Sequence, residues 1–99
     1  MITISLCMIV KNEEDVLARC LDSLRGLMDE IIIVDTGSTD NTKEVALKYT
    51  DKVYDFSWCD DFAAARNFSF SKATKEYIYA PDADEVLDET NRRRFAMLK

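Results

Sequence analysis

Asp82 and Asp84, with Glu85 beside them, end the apolar run in "EYIYAPDADEVL" at residues 76–87. Two ionised carboxylates one residue apart raise each other's pKa unless a cation shares them. Three roles fit such a cluster: a metal seat, a catalytic acid pair, or a polar turn that caps the next helix. Mg²⁺ and Mn²⁺ take hard oxygen ligands and bind through one or two carboxylates plus substrate phosphates. An Asp-x-Asp after a strand therefore suits a metal-held diphosphate, with the substrate completing the shell. Pro81 cannot donate to a sheet ladder and disfavours helix at Ala80, so it marks where the strand stops.

Other polar residues fall at similar places. Lys11, Asn12 and Glu13 follow a first apolar run, Asp35 ends a second, and Asp55 and Ser57 surround the end of a third. One Asp in a turn is ordinary; several along one edge point to a site, because open α/β sheets bind ligands at the carboxyl ends of their strands. Asp35 can accept hydrogen bonds from the N–H of a base or from ribose hydroxyls. Gly37 permits close approach and a left-handed backbone. Asp40 and Asn41 read as helix caps, Asn41 above all. Arg66, alone among alanines in "AAARN", is either a surface residue or a planar partner for phosphate oxygens.

The elements that must position these groups alternate. "ITISLCMIV" reads as a buried strand. "NEEDVLARCLDSL" reads as a helix, capped by Asn12 with Asp15 three residues on, and carries Val16, Leu17, Cys20, Leu21 and Leu24 as an apolar stripe. Gly26 ends it. "EIIIVD" is a continuous apolar strand of the kind covered on both faces. A helix through "KEVALKYT", a short strand "KVYDF", a helix in "DDFAAARNFSFSKA" and a strand "EYIYA" follow. "LDETNRRRFAMLK" closes as a helix with acids early and bases late, as its dipole favours. Parallel neighbours need crossovers, so the chain is expected to be α/β, a three-layer, doubly wound, mostly parallel sheet. The order of the strands is not legible at this level.

Composition narrows the chemistry. The 99 residues form one domain, 47% hydrophobic and 32% charged, with net charge −6 and no histidine. Nucleic-acid binding is not expected, because it needs clustered Lys and Arg. The one basic run, 92–94, reads as a solvated helix face. Without histidine the usual general base and the usual zinc ligand are missing. Cys7, Cys20 and Cys59 form no CxxC pair and read as reduced thiols in a cytoplasmic protein. "MITISLCMIV" is too short to span a bilayer and lacks the basic leader of a signal peptide. A place at the inner face of a membrane would depend on regions outside these residues.

Four segments, "ISLCMIVKNEE", "IIIVDTGSTDNT", "WCDDFAAARNFS" and "YIYAPDADEVL", resemble in order and spacing the family-two glycosyltransferases of GT-A fold. The resemblance covers nearly the whole chain and is greatest to a bacterial branch with a "MIVKNEE"-like first motif. It implies that residues 1–99 are the donor-binding part of such a domain, its nucleotide-binding half being Rossmann-like. Ile9, Lys11 and Glu13 would lie beside the nucleotide, and Asp35 would bind the base, usually uracil. Asp40 and Arg66 would line the nucleotide pocket. Asp82 would touch the ribose or the metal's water shell, and Asp84 would ligate Mg²⁺ or Mn²⁺. Many members carry a Pro and a Tyr in the first motif, where this chain has Ile9 and Lys11. Pro81 stands where relatives usually have an apolar residue such as Leu.

The implied reaction is inverting transfer of a sugar from a nucleotide-diphospho-sugar, usually a UDP-sugar, to an acceptor. Its general base and acceptor-binding half would lie downstream, since Asp88 and Glu89 read as first-turn acids of the last helix. The chain is then expected to bind donor and metal, to transfer sugar poorly alone, and to self-associate through the face the other half would cover. Two other classes fit less of the sequence. An aspartyl-nucleophile phosphatase would use Asp82 as nucleophile and Asp84 as acid, but needs further motifs downstream. A non-catalytic nucleotide-binding or interaction module would keep the fold and the donor site alone.

Overall fold

The computed structural model describes residues 3–24, 26–57 and 62–81, together with 93, 94 and 97. Seven elements alternate: β1 (Ile4–Val10), α1 (Glu14–Ser23), β2 (Glu30–Asp35), α2 (Thr42–Leu47), β3 (Val53–Asp55), α3 (Phe62–Ser71) and β4 (Tyr77–Tyr79). The strands make one sheet in the order β3-β2-β1-β4, and every neighbouring pair is parallel. The order runs outward from β1 to β3 and then restarts on the other side of β1 with β4. The crevice between β1 and β4 is therefore the point at which strand order reverses.

Alternation along β1 sorts its side chains between two layers. Leu6, Met8 and Val10 join Ile33 of β2 in an apolar cluster with Leu17, Cys20 and Leu21 of α1, Leu24 just beyond it and Ala46 of α2. Each fully buried Leu there contributes about 1.5–3 kcal/mol relative to exposure. On the opposite face Cys7 meets α3, its Sγ lying 3.8 Å from the carbonyl oxygen of Ser69. Right-handed crossovers require this split, because β1→β2→β3 and β3→β4 step in opposite directions. The expected three-layer parallel architecture is what forms. Cys7 and Cys20 are buried and form no disulfide, and burial pushes the Cys7 thiol upward from its usual pKa.

Two expected caps are different. The position before α1 is Glu13 and has no side-chain cap bond; Asn12 instead sits at φ 54°, a left-handed value that Asn tolerates. Asn41 precedes α2, also without a side-chain cap bond, and Asp40 Oδ1 takes the Thr42 amide at 2.9 Å. Gly26 ends the α1 region at φ 82°, as a helix-terminating glycine should. Arg93, Arg94 and Met97 are helical and exposed, in line with the closing helix; the rest of that segment lies outside the described residues. No helix among the described residues is long and apolar enough to cross a membrane.

The amino edge of the sheet is fastened by one buried acid. Glu30 opens β2 with a side chain only 2% exposed. Its carboxylate accepts from Ser5 Oγ at 2.7 Å, from the Thr74 amide and hydroxyl at 2.9 Å each, and from Lys52 Nζ. Ser5 Oγ in turn accepts from the Lys75 amide at 3.1 Å. One side chain thus joins β1, β2, the residue before β3 and the approach to β4.

Candidate functional site

The carboxyl edge is built by register. Val10 of β1 lies level with Asp35 of β2, and Asp35 lies level with Asp55 of β3. Backbone bonds extend this row: Thr36 N–H reaches the Val10 oxygen at 3.0 Å, and Phe56 N–H reaches the Asp35 oxygen at 2.9 Å. A short run of Ile and Val ending in Asp can form such an edge because the apolar part fills the core while the terminal acid meets the amides of the loop that follows.

Asp35 is 4% exposed and uses one oxygen on its own loop. Oδ1 accepts from the amides of Gly37 and Ser38, both at 2.8 Å. Oδ2 has no hydrogen-bond partner among the described residues. Asp35, Gly37, Asp55, Phe56 and Ser57 line an open cleft of about 220 Å³. Asp55 is paired with Lys43 at 2.7 Å, which raises the Lys43 pKa and sets a cation beside the cleft. Phe56 was not singled out by sequence reasoning. It stands between Asp55 and Ser57, two residues that were, and packs on Phe68 of α3 with ring centroids 5.1 Å apart.

Gly37 has φ 110°, and a Cβ added there would meet nothing within 4 Å. The cost of Gly37→Ala is therefore backbone strain alone, about 1–2 kcal/mol. Urea unfolding should show that loss with an unchanged slope, whereas an unaltered midpoint would contradict the strain.

A second, smaller cavity of about 70 Å³ lies in the β1–β4 crevice, lined by Cys7, Ile9, Arg66, Ser69, Phe70, Ala80 and Pro81. Ile9 and Arg66 therefore meet at one place, next to the residue that precedes Asp82. Arg66 is on the exposed side of α3. Lys11 is exposed and Glu13 half-buried, both in the loop after β1. Asp40 stands apart from both cavities. Its carboxylate is engaged by Thr42 and the Glu14 amide, and those hydrogen bonds, the Thr42 hydroxyl's first, hold it below the usual carboxylate range.

Asp82 and Asp84 lie outside the described residues. Their approach is described: Tyr79 of β4 is level with Leu6 of β1 and runs parallel to it, and Pro81 beyond is buried. The chain thus leaves β4 toward the same edge that carries Asp35. Among the described residues no three His, Cys, Asp or Glu side chains cluster as a metal site.

Comparison with known proteins places this arrangement. The family model described as "Glycosyl transferase family 2" matches residues 5–95. Over 87 residues the chain is 46% identical to a TPR repeat-containing protein of Synechococcus elongatus, covering 88% of the chain and 22% of that protein. It is 35% identical over 102 residues to the SPbeta prophage-derived glycosyltransferase SunS of Bacillus subtilis, covering 95% of the chain and 23% of the relative. Among solved structures it matches glucosyl-3-phosphoglycerate synthase from Mycobacterium tuberculosis in complex with Mn²⁺ and UDP-glucose. That match has TM-score 0.73 and 25% identity, and covers 86% of this chain and 34% of that one. The chain spans under a quarter of the length of these two curated relatives.

Proposed function

The chain belongs to glycosyl transferase family 2, and on that footing we propose that it binds a nucleotide-diphospho-sugar, of the UDP-sugar type, for inverting glycosyl transfer. The observation that carries this reading is Asp35: a buried carboxylate at the carboxyl edge, with one oxygen holding its loop and the other open to a cleft. Oδ2 there accepts the N–H of a pyrimidine base. Gly37 keeps the backbone close beside it. Ile9 of β1 faces the nucleotide, as do Lys11 and Glu13 from the loop that follows it. Arg66 offers its guanidinium to the diphosphate from the β1–β4 crevice, the usual ligand position in such sheets.

Asp84, with Asp82, would hold Mg²⁺ or Mn²⁺ together with the diphosphate oxygens. The ion, when bound, offsets the charge that builds on the departing diphosphate. The solved neighbour carrying Mn²⁺ and UDP-glucose supports this donor and metal for the present chain. We propose a cytoplasmic location.

Calorimetry with UDP tests the reading. UDP is expected to bind about tenfold more tightly with Mn²⁺ than with EDTA, a difference of about 1.4 kcal/mol. Asp84→Ala should lose that gain and behave in Mn²⁺ as the unmodified chain does in EDTA. Absence of UDP binding under both conditions would overturn the donor site.

A further inference from the structure

We propose that Thr42 is a positioning residue for the donor site: its hydroxyl locks the loop after β1 to the loop after β2, and so sets where Lys11 and Glu13 stand relative to Asp35. The proposal rests on the donor-site reading above. Thr42 is the first residue of α2 and is completely buried. Its Oγ1 accepts from the Glu13 amide at 2.7 Å and donates to Asp40 Oδ1. A hydroxyl has one proton, an amide only donates and a carboxylate only accepts, so the relay runs in one direction. Asp40 also takes the Thr42 amide at 2.9 Å and, through Oδ2, the Glu14 amide at 3.4 Å.

A second pair of bonds lies beside this relay. Asn12 N–H donates to Ser38 Oγ at 2.9 Å, and Asn12 Oδ1 accepts from the Thr39 amide at 2.8 Å. The left-handed backbone at Asn12 is what lets one residue turn both groups toward the neighbouring loop. The Glu13–Thr42, Glu14–Asp40, Asn12–Ser38 and Asn12–Thr39 links run between the segment after β1, which carries Lys11 and Glu13, and the segment that follows Asp35. They are polar, whereas α1 and α2 are already joined by the apolar packing of Leu17, Leu21 and Ala46. Removing the hydroxyl should therefore loosen the loops without separating the helices. Asp40 then serves the nucleotide through this clasp.

The test uses Thr42→Val, which keeps the branched shape and deletes the hydroxyl, and Thr42→Ser, which keeps the hydroxyl. In Thr42→Val, UDP affinity in Mn²⁺ is expected to fall about tenfold as pre-organisation is lost. Hydrogen exchange at the Glu13 and Glu14 amides should quicken while the central amides of β1 and β2 stay protected. Thr42→Ser should restore both to within about twofold. If Thr42→Val does not fold, Asp40→Ala takes its place, with faster exchange at Glu13 and weaker UDP binding expected. Equal UDP affinity in the unmodified chain and Thr42→Val, or unchanged exchange at Glu13, overturns the clasp and leaves the donor site standing. An unmodified chain that binds no UDP overturns both.

Discussion

Replacing Asp35 with alanine is expected to weaken UDP binding about 100-fold, a loss of about 2.7 kcal/mol. Two contributions add. On the proposed donor reading the open oxygen accepts a base N–H, and a hydrogen bond to a charged group is worth about 1.5–3 kcal/mol. The other oxygen holds the Gly37 and Ser38 amides, so its removal also frees the loop that shapes the cleft. Asp35→Asn separates the two. Its amide oxygen can still accept from the loop, but its NH₂ turns a donor toward the donor group of the base. The Asn variant should keep thermal stability and still lose most of the affinity. Calorimetry in Mn²⁺ measures both; Asp35→Ala binding UDP within threefold of the unmodified chain would contradict the assignment.

The second large effect is on the fold. Glu30→Gln is expected to lower stability by about 2–3 kcal/mol, because Lys52 loses its ionic partner and the amide NH₂ opposes the groups that donate to the carboxylate. For a chain of this size that is a fall in Tm of roughly 10–20 °C. The pH dependence gives a sharper signature. Burial by itself would raise the Glu30 pKa, but bonds from Lys52, Ser5 and Thr74 outweigh it and hold the group at about 2. A carboxyl depressed on folding contributes fully above its unfolded pKa of 4.5 and loses that contribution as pH falls toward 2. Urea titrations from pH 6 to pH 2.5 should show stability declining through this window. The Gln variant should start lower and decline less steeply. Parallel curves for the two proteins would show that Glu30 is not the group responsible.

Much of the frame was legible because it depends on local pattern. "EIIIVD" reads as β2 at its observed bounds, since an uninterrupted apolar run fits a strand covered on both faces. The stripe from Leu17 to Leu24 buries as its helical spacing requires. Asp35 and Asp55 were legible at strand ends because a strand's last residue adjoins the polar loop that follows it. What failed was decided between segments. Asn12 has the composition of a cap, but its side chain is taken by Thr39 of another loop. Asn41 loses the cap to Asp40, the residue before it. β3 and β4 are only three residues each, shorter than the "KVYDF" and "EYIYA" segments that read as strands. Glu30 gave no signal at all: its burial depends on Ser5, Lys52 and Thr74, which meet only after folding. Strand order was equally hidden, since no local property of "EYIYA" says that it returns beside β1.

That return has a kinetic meaning. Ser5 pairs with Glu30 across 25 residues of chain, whereas Ile4 waits for Tyr77, 73 residues away. Closing the longer loop costs about 1 kcal/mol more in chain entropy, and a ribosome must extend the polypeptide well past Asp35 before it can happen. The β1–β2 pair with its helix can therefore assemble while the last strand is still being synthesised. In this order of events the corner that carries Asp35 begins to form first, and the crevice beside Arg66 is completed last.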